Sequence, residues 1–235
     1  MTKNGIDVSE WQGDIDWSRV RTDFAILRAG YGREVSQKDK KFERNYSGAK
    51  ANNIPCGAYW YSYAVSEDEA RKEASACIEI IKGKQFEYPI YFDVEEQKIF
   101  DLGRDKVSKI IEAFCHELEK AGYFAGLYIS AYPLTKYTTE HVKRRYAVWV
   151  ANYDVSKPDY SGPYGIWQKS SSGTVDGIAG NVDVDVCYTD YPTVIKNLGD
   201  NGFPKHTAPA HTKKTMKVTV EYDDHIYSGL LEEQL

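Results

Sequence analysis

The chain has only four cysteines in 235 residues and no Cys-x-x-Cys pair among them. Cys56, Cys77, Cys115 and Cys187 are too scattered for a zinc pattern or a disulfide framework, so small buried thiols are expected. Five dispersed histidines add no ligand spacing; neither a metal nor a cofactor is expected. No apolar run approaches the ~18 residues of a membrane-spanning helix. Basic residues are not in excess either. A net charge of −5 argues against nucleic acid as a general partner. Met1-Thr-Lys-Asn-Gly5 leads straight into an apolar segment, without the charged and apolar regions of a secretory signal. Synthesis in the cytoplasm without a signal peptide is therefore expected, with any extracellular work following release by another route.

What the chain does have is aromatic residues, 14% of the total, including 19 Tyr and 5 Trp. Its 42% hydrophobic content supports a sizeable core. Apolar runs with β character occur at 5–9, 24–31, 56–63, 89–95, 124–130, 147–153, 165–170 and 182–188. Helical periodicity fills several of the gaps. Ala70, Ala74, Cys77, Ile78 and Ile81 recur along 67–82, and Val107, Ile110, Ile111, Phe114 and Leu118 along 104–121. A third helix is expected over 42–52, closed by Asn53 and Pro55. Such alternation indicates a parallel α/β sheet. Eight strands in about 190 residues suggest a closed barrel, while a complete eightfold one takes ~250 residues. The last three strands, joined by helix-poor segments, point to an abbreviated TIM-like barrel, (β/α)5(β)3.

The segment Ile90-Tyr-Phe-Asp93-Val-Glu95 ends an apolar run in two carboxylates one residue apart. On a strand both would point the same way, with Cα atoms roughly 6.5–7 Å apart at about 3.3 Å per residue. For a bare Asp-x-Glu a solvated strand end is the better explanation. Other strand ends tip the balance, because catalytic groups of parallel barrels gather there. The first strand carries Asp7, and the eighth carries Asp183 and Asp185. Strands one and eight are neighbours in a closed barrel, which brings Asp7 and Asp183 together across the mouth from Asp93 and Glu95. Tyr59, Tyr61, Tyr128, Trp149, Tyr153 and Trp167 fall at the same level, with the amides of Asn152 and Gln168. They suit an acidic groove that stacks and hydrogen-bonds sugars. Core filling accounts for about half of such aromatics; Trp60 and Tyr63 are expected to pack rather than bind. Asp185 is expected behind the floor, with Arg28 as a candidate ion-pair partner. Arg28 itself should pair with a floor carboxylate rather than touch substrate.

These segments, Gly5-Ile-Asp-Val-Ser-Glu-Trp-Gln-Gly13, Gly57-Ala-Tyr-Trp-Tyr61, Tyr91-Phe-Asp-Val-Glu95, Trp149-Val-Ala-Asn-Tyr153, Ile166-Trp-Gln168 and Asn181-Val-Asp-Val-Asp185, resemble the motifs of glycoside hydrolase family 25, the Chalaropsis-type lysozymes. The resemblance spans roughly 4–198. It implies a barrel of five β/α units followed by three strands. It also implies hydrolysis, with retention, of the β-1,4 bond between N-acetylmuramic acid and N-acetylglucosamine in bacterial peptidoglycan, as in phage and prophage endolysins. Carried over by motif, Glu95 is the general acid/base, and Asp93 assists the substrate's 2-acetamido group or stabilises positive charge. Asp7 and Asp183 complete the floor. Tyr59, Tyr61, Tyr128, Trp149, Asn152, Trp167 and Gln168 are the expected substrate contacts. Physical chemistry agrees: crowded carboxylates cannot all ionise, and the longer Glu95 nearer the mouth is the natural proton donor. A chitinase-like N-acetylglucosaminidase and a non-catalytic wall-binding module are the alternatives.

Residues 1–198 are thus expected to form the catalytic barrel. The stretch 199–214 reads as a linker rich in turn residues, and 215–235 as a short β-hairpin tail with a turn at Asp223-Asp224. Such a hairpin cannot hold a core alone. The tail is acidic, unlike an electrostatic anchor for an anionic wall, and homo-oligomerisation or wall targeting are its expected roles.

Overall fold

The computed structural model describes residues 2–205, 215–222 and 225–232. These fall into two compact units, Met1–Lys205 and His206–Leu235. The first is a closed eight-stranded barrel in sequential order: β1 (Lys3–Val8), β2 (Phe24–Tyr31), β3 (Cys56–Tyr61), β4 (Ile90–Asp93), β5 (Ala125–Ser130), β6 (Ala147–Ala151), β7 (Ile166–Gly173) and β8 (Val182–Cys187). Strands β1 to β7 run parallel, and β8 is antiparallel to both β7 and β1. The fold expected from sequence is therefore present, with one difference. Because β8 runs backwards, its N-terminal end reaches the mouth where the other strands end.

Helices clothe the first two-thirds of the barrel: α1 (Phe42–Ala51), α2 (Glu67–Ile81), the short α3 (Gln97–Phe100), α4 (Arg104–Lys120), α5 (Ala131–Tyr137) and α6 (Glu140–Arg145), with α7 (Tyr191–Leu198) after β8. The local signals are ordinary. Ser66 caps α2 by accepting the Glu69 N–H at 3.2 Å, and three acidic residues fill its first turn. Its buried face, including Ala70, Ala74, Cys77 and Ile81, is the periodic set read from sequence. Asp190 caps α7, Pro192 sits in its first turn, and Gly199 ends it in the left-handed region. Between β6 and β7, and between β7 and β8, the chain forms no helix, which accounts for the short C-terminal half. All four cysteines are free and buried. Among the described residues no helix is long and apolar enough to cross a membrane.

The interior is packed to the point where a methyl group would not fit. A Cβ on Gly5 would run into the Phe24 ring, so the first strand can approach its neighbour only as glycine. Below the strands the chain makes a clasp. Asn201, fully buried, donates from Nδ2 to the carbonyls of Phe86 (3.1 Å) and Tyr88 (2.8 Å), and its Oδ1 accepts the Phe124 N–H (2.7 Å). Its own backbone bonds Gly122 and Phe86. The expected linker boundary at Gly199 is thereby corrected: 199–205 belongs to the barrel, held by one side chain that satisfies three backbone groups ahead of β4 and β5. The remainder of that stretch, 206–214, lies outside the described residues, as does the Asp223-Asp224 turn.

The second unit is a two-stranded antiparallel sheet of β9 (Thr215–Tyr222) and β10 (His225–Glu232), paired from Tyr222 opposite His225 to Thr215 opposite Glu232. This is the hairpin extension read from the alternation in 216–222.

Candidate active site

The barrel register assembles the acidic site. In the β1–β8 pairing Asp7 lies opposite Asp183 and Gly5 opposite Asp185, so strand alternation puts all three aspartates on the inner face. Strand β4 ends at Asp93 rather than carrying on to Glu95. Both neighbours still hold the chain beyond it: Ser62 N–H bonds the Asp93 carbonyl (2.9 Å) and Val94 N–H bonds the Tyr128 carbonyl (3.0 Å). Val94 is buried, and Glu95 then turns out to the mouth, where it is exposed. The two carboxylates are not the equivalent strand neighbours of the sequence reading. Asp93 is a floor group, and Glu95 a rim group.

The cavity they line, about 200 Å³, also takes in Asp7, Asp183, Tyr59, Tyr61, Tyr128, Trp149, Tyr153, Gln168 and Arg28. One hydrogen-bonded network spans its base. Gln168 Nε2 donates to Asp7 Oδ2 (2.6 Å), and its Oε1 accepts the hydroxyls of Tyr128 (2.7 Å) and Tyr153 (2.5 Å). Trp149 Nε1 donates to Asp185 Oδ1 (2.8 Å). Asp93 Oδ1 and Asp185 Oδ2 are buried without a hydrogen-bond partner.

Every acid here titrates above its ordinary range. Burial raises Asp7, and the charges of Asp185, Asp183 and Asp93 add to it against the Gln168 bond. Burial and then Glu95 raise Asp93, with Arg28 opposing. Burial raises Glu95, opposed by a bond from Tyr128 and reinforced by Asp183 and Glu96. Asp183 is raised by burial, and Asp185 is pushed up to about 8 by burial and Asp183 against the Trp149 bond. Five acids face one lining cation, Arg28, so each resists giving up its proton in the presence of the others.

Several expected substrate contacts have other work. Trp149 lines the cavity but is only 1% exposed, and its Nε1 props Asp185 from the floor. Trp167 is 8% exposed, sits in the hydrophobic core and donates its Nε1 to the Asn152 carbonyl (2.8 Å), away from the acidic cavity. Asn152 lines a neighbouring recess of about 440 Å³ with Tyr132, Tyr153 and Asp159, and its Oδ1 accepts the Asp159 N–H (2.7 Å). Gln168 is buried with both ends of its amide engaged. Tyr59 and Tyr61 do line the cavity; Tyr61 also donates to Glu96 Oε1 (2.9 Å). Trp60 packs as expected, bonding the Gly32 carbonyl, but Tyr63 is exposed on the rim.

Arg28 is corrected as well. Its Nε bonds Asp39 (2.7 Å) and its Nη2 bonds Glu10 (2.9 Å), so it is clamped from the rim and not paired with Asp185. Asp39 follows β2 and also accepts the Glu10 N–H, a contact between loops that no local sequence pattern encodes. Sequence reasoning also passed over Glu73 on α2. Its Oε1 accepts the Tyr63 N–H (2.9 Å), its Oε2 has no partner, and burial lifts it to about 7. The signal was there: a Glu inside the apolar face of a periodic helix.

Comparison with known proteins fits this geometry. The chain is 33% identical over 200 residues to the uncharacterized protein YegX of Escherichia coli (strain K12), covering 79% of this chain and 69% of YegX. It is 28% identical over 189 residues to the autolytic lysozyme of Clostridium acetobutylicum, covering 77% and 54%. The structure of the modular autolysin LytC from Streptococcus pneumoniae in complex with a synthetic peptidoglycan ligand superposes with a TM-score of 0.71 at 32% identity, over 80% of this chain and 47% of LytC. The sequence model of "Glycosyl hydrolases family 25" matches residues 6–178. Since that match runs from β1 to the loop just ahead of β8, the chain belongs to glycosyl hydrolases family 25 and is a glycoside hydrolase.

Proposed function

We propose that the protein is a lysozyme that hydrolyses the β-1,4 bond between N-acetylmuramic acid and N-acetylglucosamine in bacterial peptidoglycan, with retention, and so opens the cell wall. The observation that carries this reading is the unequal pair of Glu95 and Asp93: a raised carboxyl open at the rim beside a buried one with an unpartnered oxygen. The autolytic lysozyme and the LytC complex support the choice of substrate.

In this reading Glu95, whose hold on its proton is strengthened by its crowded setting, gives that proton to the glycosidic oxygen as the C1–O bond breaks. The carbonyl oxygen of the substrate's own 2-acetamido group closes on C1, and Asp93 accepts the acetamido N–H and balances the positive charge that develops. Glu95, now a carboxylate, takes a proton from water while that water attacks C1 and reopens the ring, so the configuration at C1 is kept. Tyr128 suits the exchange. Gln168 Oε1 already accepts the Tyr153 hydroxyl, so the Tyr128 proton can turn to Glu95 whenever Glu95 is ionised. Asp7 and Asp183, with Asp185 behind them, keep the floor acidic, and Asp7 fixes Gln168.

Loss of turbidity of purified peptidoglycan, with new reducing ends on muramic acid and none on glucosamine, tests the bond cleaved. Release of reducing ends from chitin in place of peptidoglycan would favour the N-acetylglucosaminidase instead. Full activity of Glu95→Gln would overturn the assignment of the acid.

A further inference from the structure

We propose that a second recess on the cleft rim is a stacking subsite for one more pyranose ring of the same glycan strand, with Trp11 as its platform. The proposal rests on the glycan-cleaving reading above and extends the site that performs it.

Trp11 is 79% exposed, whereas the other four tryptophans are 8% or less. A single exposed apolar residue is ordinary; its support is not. Trp11 sits in a 3-10 turn, Glu10–Gln12, closed by a reciprocal cap. Ser9 Oγ accepts the Trp11 N–H (3.2 Å), and Gln12 Oε1 accepts the Ser9 N–H (2.8 Å). The turn is also tied outward, since Asp39 accepts the Glu10 N–H (2.9 Å) and Gln12 Nε2 reaches the Asn181 carbonyl (3.4 Å). An indole is thus held out in water on a backbone with little freedom left to lose on binding.

It faces a recess of about 360 Å³ lined by Glu10, Trp11, Arg28, Tyr31, Tyr61 and Tyr63. Arg28 and Tyr61 line the acidic cavity too, so the two spaces adjoin. The other aromatics are fixed against one another. Tyr63, 40% exposed, meets Tyr31 edge-on at 6.3 Å and Tyr61 at 5.2 Å, and Lys98 Nζ lies 4.6 Å from its ring centre. Behind it Glu73 holds its backbone.

This chemistry selects a sugar. The C–H face of a pyranose stacks on an aromatic plane, while its hydroxyls reach the polar rim. A peptide would call for free charges, but Glu10 and Arg28 neutralise each other at 2.9 Å. Adjacency to the acidic cavity makes the occupant a neighbouring residue of the strand being cut.

The test uses Glu95→Gln, which holds substrate without turning it over, and peptide-free peptidoglycan glycan fragments six sugars long. Adding Trp11→Ala should weaken binding about tenfold by calorimetry, with an unchanged unfolding midpoint, and Trp11→Phe should restore most of it. Iodide, which quenches exposed indole, should quench Glu95→Gln less once the fragment is bound. Equal affinity with and without Trp11, or undiminished quenching, overturns the subsite and leaves the catalytic reading standing. Failure of Glu95→Gln to bind any fragment overturns both.

Discussion

Replacing Glu73 by glutamine should stabilise the barrel at alkaline pH and leave it unchanged in acid. The carboxyl is fully buried beneath Tyr63 and titrates near 7 in the fold against about 4.5 when unperturbed. Burial is the main cause; Glu69 adds to it, while the Tyr63 N–H, the Ser62 hydroxyl and Arg33 oppose it. Between these two values the folded chain binds more protons than the unfolded one, so stability falls as pH rises from 4.5 to 7 and is flat above. At about 1.36 kcal/mol per pH unit the loss is about 3 kcal/mol. Glutamine mimics the protonated side chain: its oxygen accepts the Tyr63 N–H, and its NH₂ takes the place of the unpartnered Oε2. Urea unfolding of both proteins at intervals from pH 4.5 to 8.5 isolates this group, because every other titration cancels in the difference. The stability gap should grow from near zero to about 3 kcal/mol, or roughly 6–12 °C in Tm for a unit of this size. Glu73→Ala, which opens a cavity and orphans the Tyr63 N–H, should destabilise at every pH. A gap between wild type and Glu73→Gln that stays constant across the range would refute the reasoning.

Asn201→Ala should cost about 3 kcal/mol or more in urea unfolding, since it orphans the Phe124 N–H and two carbonyls at once. Tyr128→Phe removes the bond that favours ionised Glu95, so the alkaline limb of the pH–activity profile should move to higher pH; a limb that stays put or moves down contradicts the proposed exchange. Gln168→Leu unties Asp7, Tyr128 and Tyr153 together and should lower kcat on the order of tenfold to a hundredfold with KM little changed, whereas a loss confined to KM would mean that Gln168 contacts substrate. Truncation after Lys205 should leave hydrolysis of soluble glycan intact, and light scattering then tells whether the hairpin joins copies of the chain. Truncation at Gly199 should unfold the barrel, because it removes the Asn201 clasp.

The barrel was legible in the sequence because strands and helices announce themselves locally. The faces of α2 and α4 follow from periodicity, and the missing C-terminal helices from short apolar runs close together. The carboxylates of the floor were legible for the same reason, each lying at a strand end. Direction was not: nothing within Val182-Asp-Val-Asp-Val says that β8 runs backwards, and only the short β7–β8 connection hints at a hairpin. Side-chain partners were the least visible. Trp149 and Trp167 look alike on neighbouring strands, yet one supports Asp185 and the other is part of the core; their difference lies in contacts with residues far along the chain. The clasp was hidden because Asn201 sits in a stretch whose composition is that of a linker, and its value comes from three backbone groups about 77 to 115 residues away.

The pairing of Asp7 with Asp183 also bears on how the protein is made. The two halves of the acidic floor are separated by nearly the whole barrel in sequence, and they meet only when β8 slots between β7 and β1. Contacts between such distant residues form late and slowly. A growing chain on the ribosome therefore carries Asp7, Asp93 and Glu95 long before Asp183 and Asp185, and a product that stops short of β8 lacks that side of the acidic floor. The acidic cavity is completed by nearly the last part of the barrel to be synthesised.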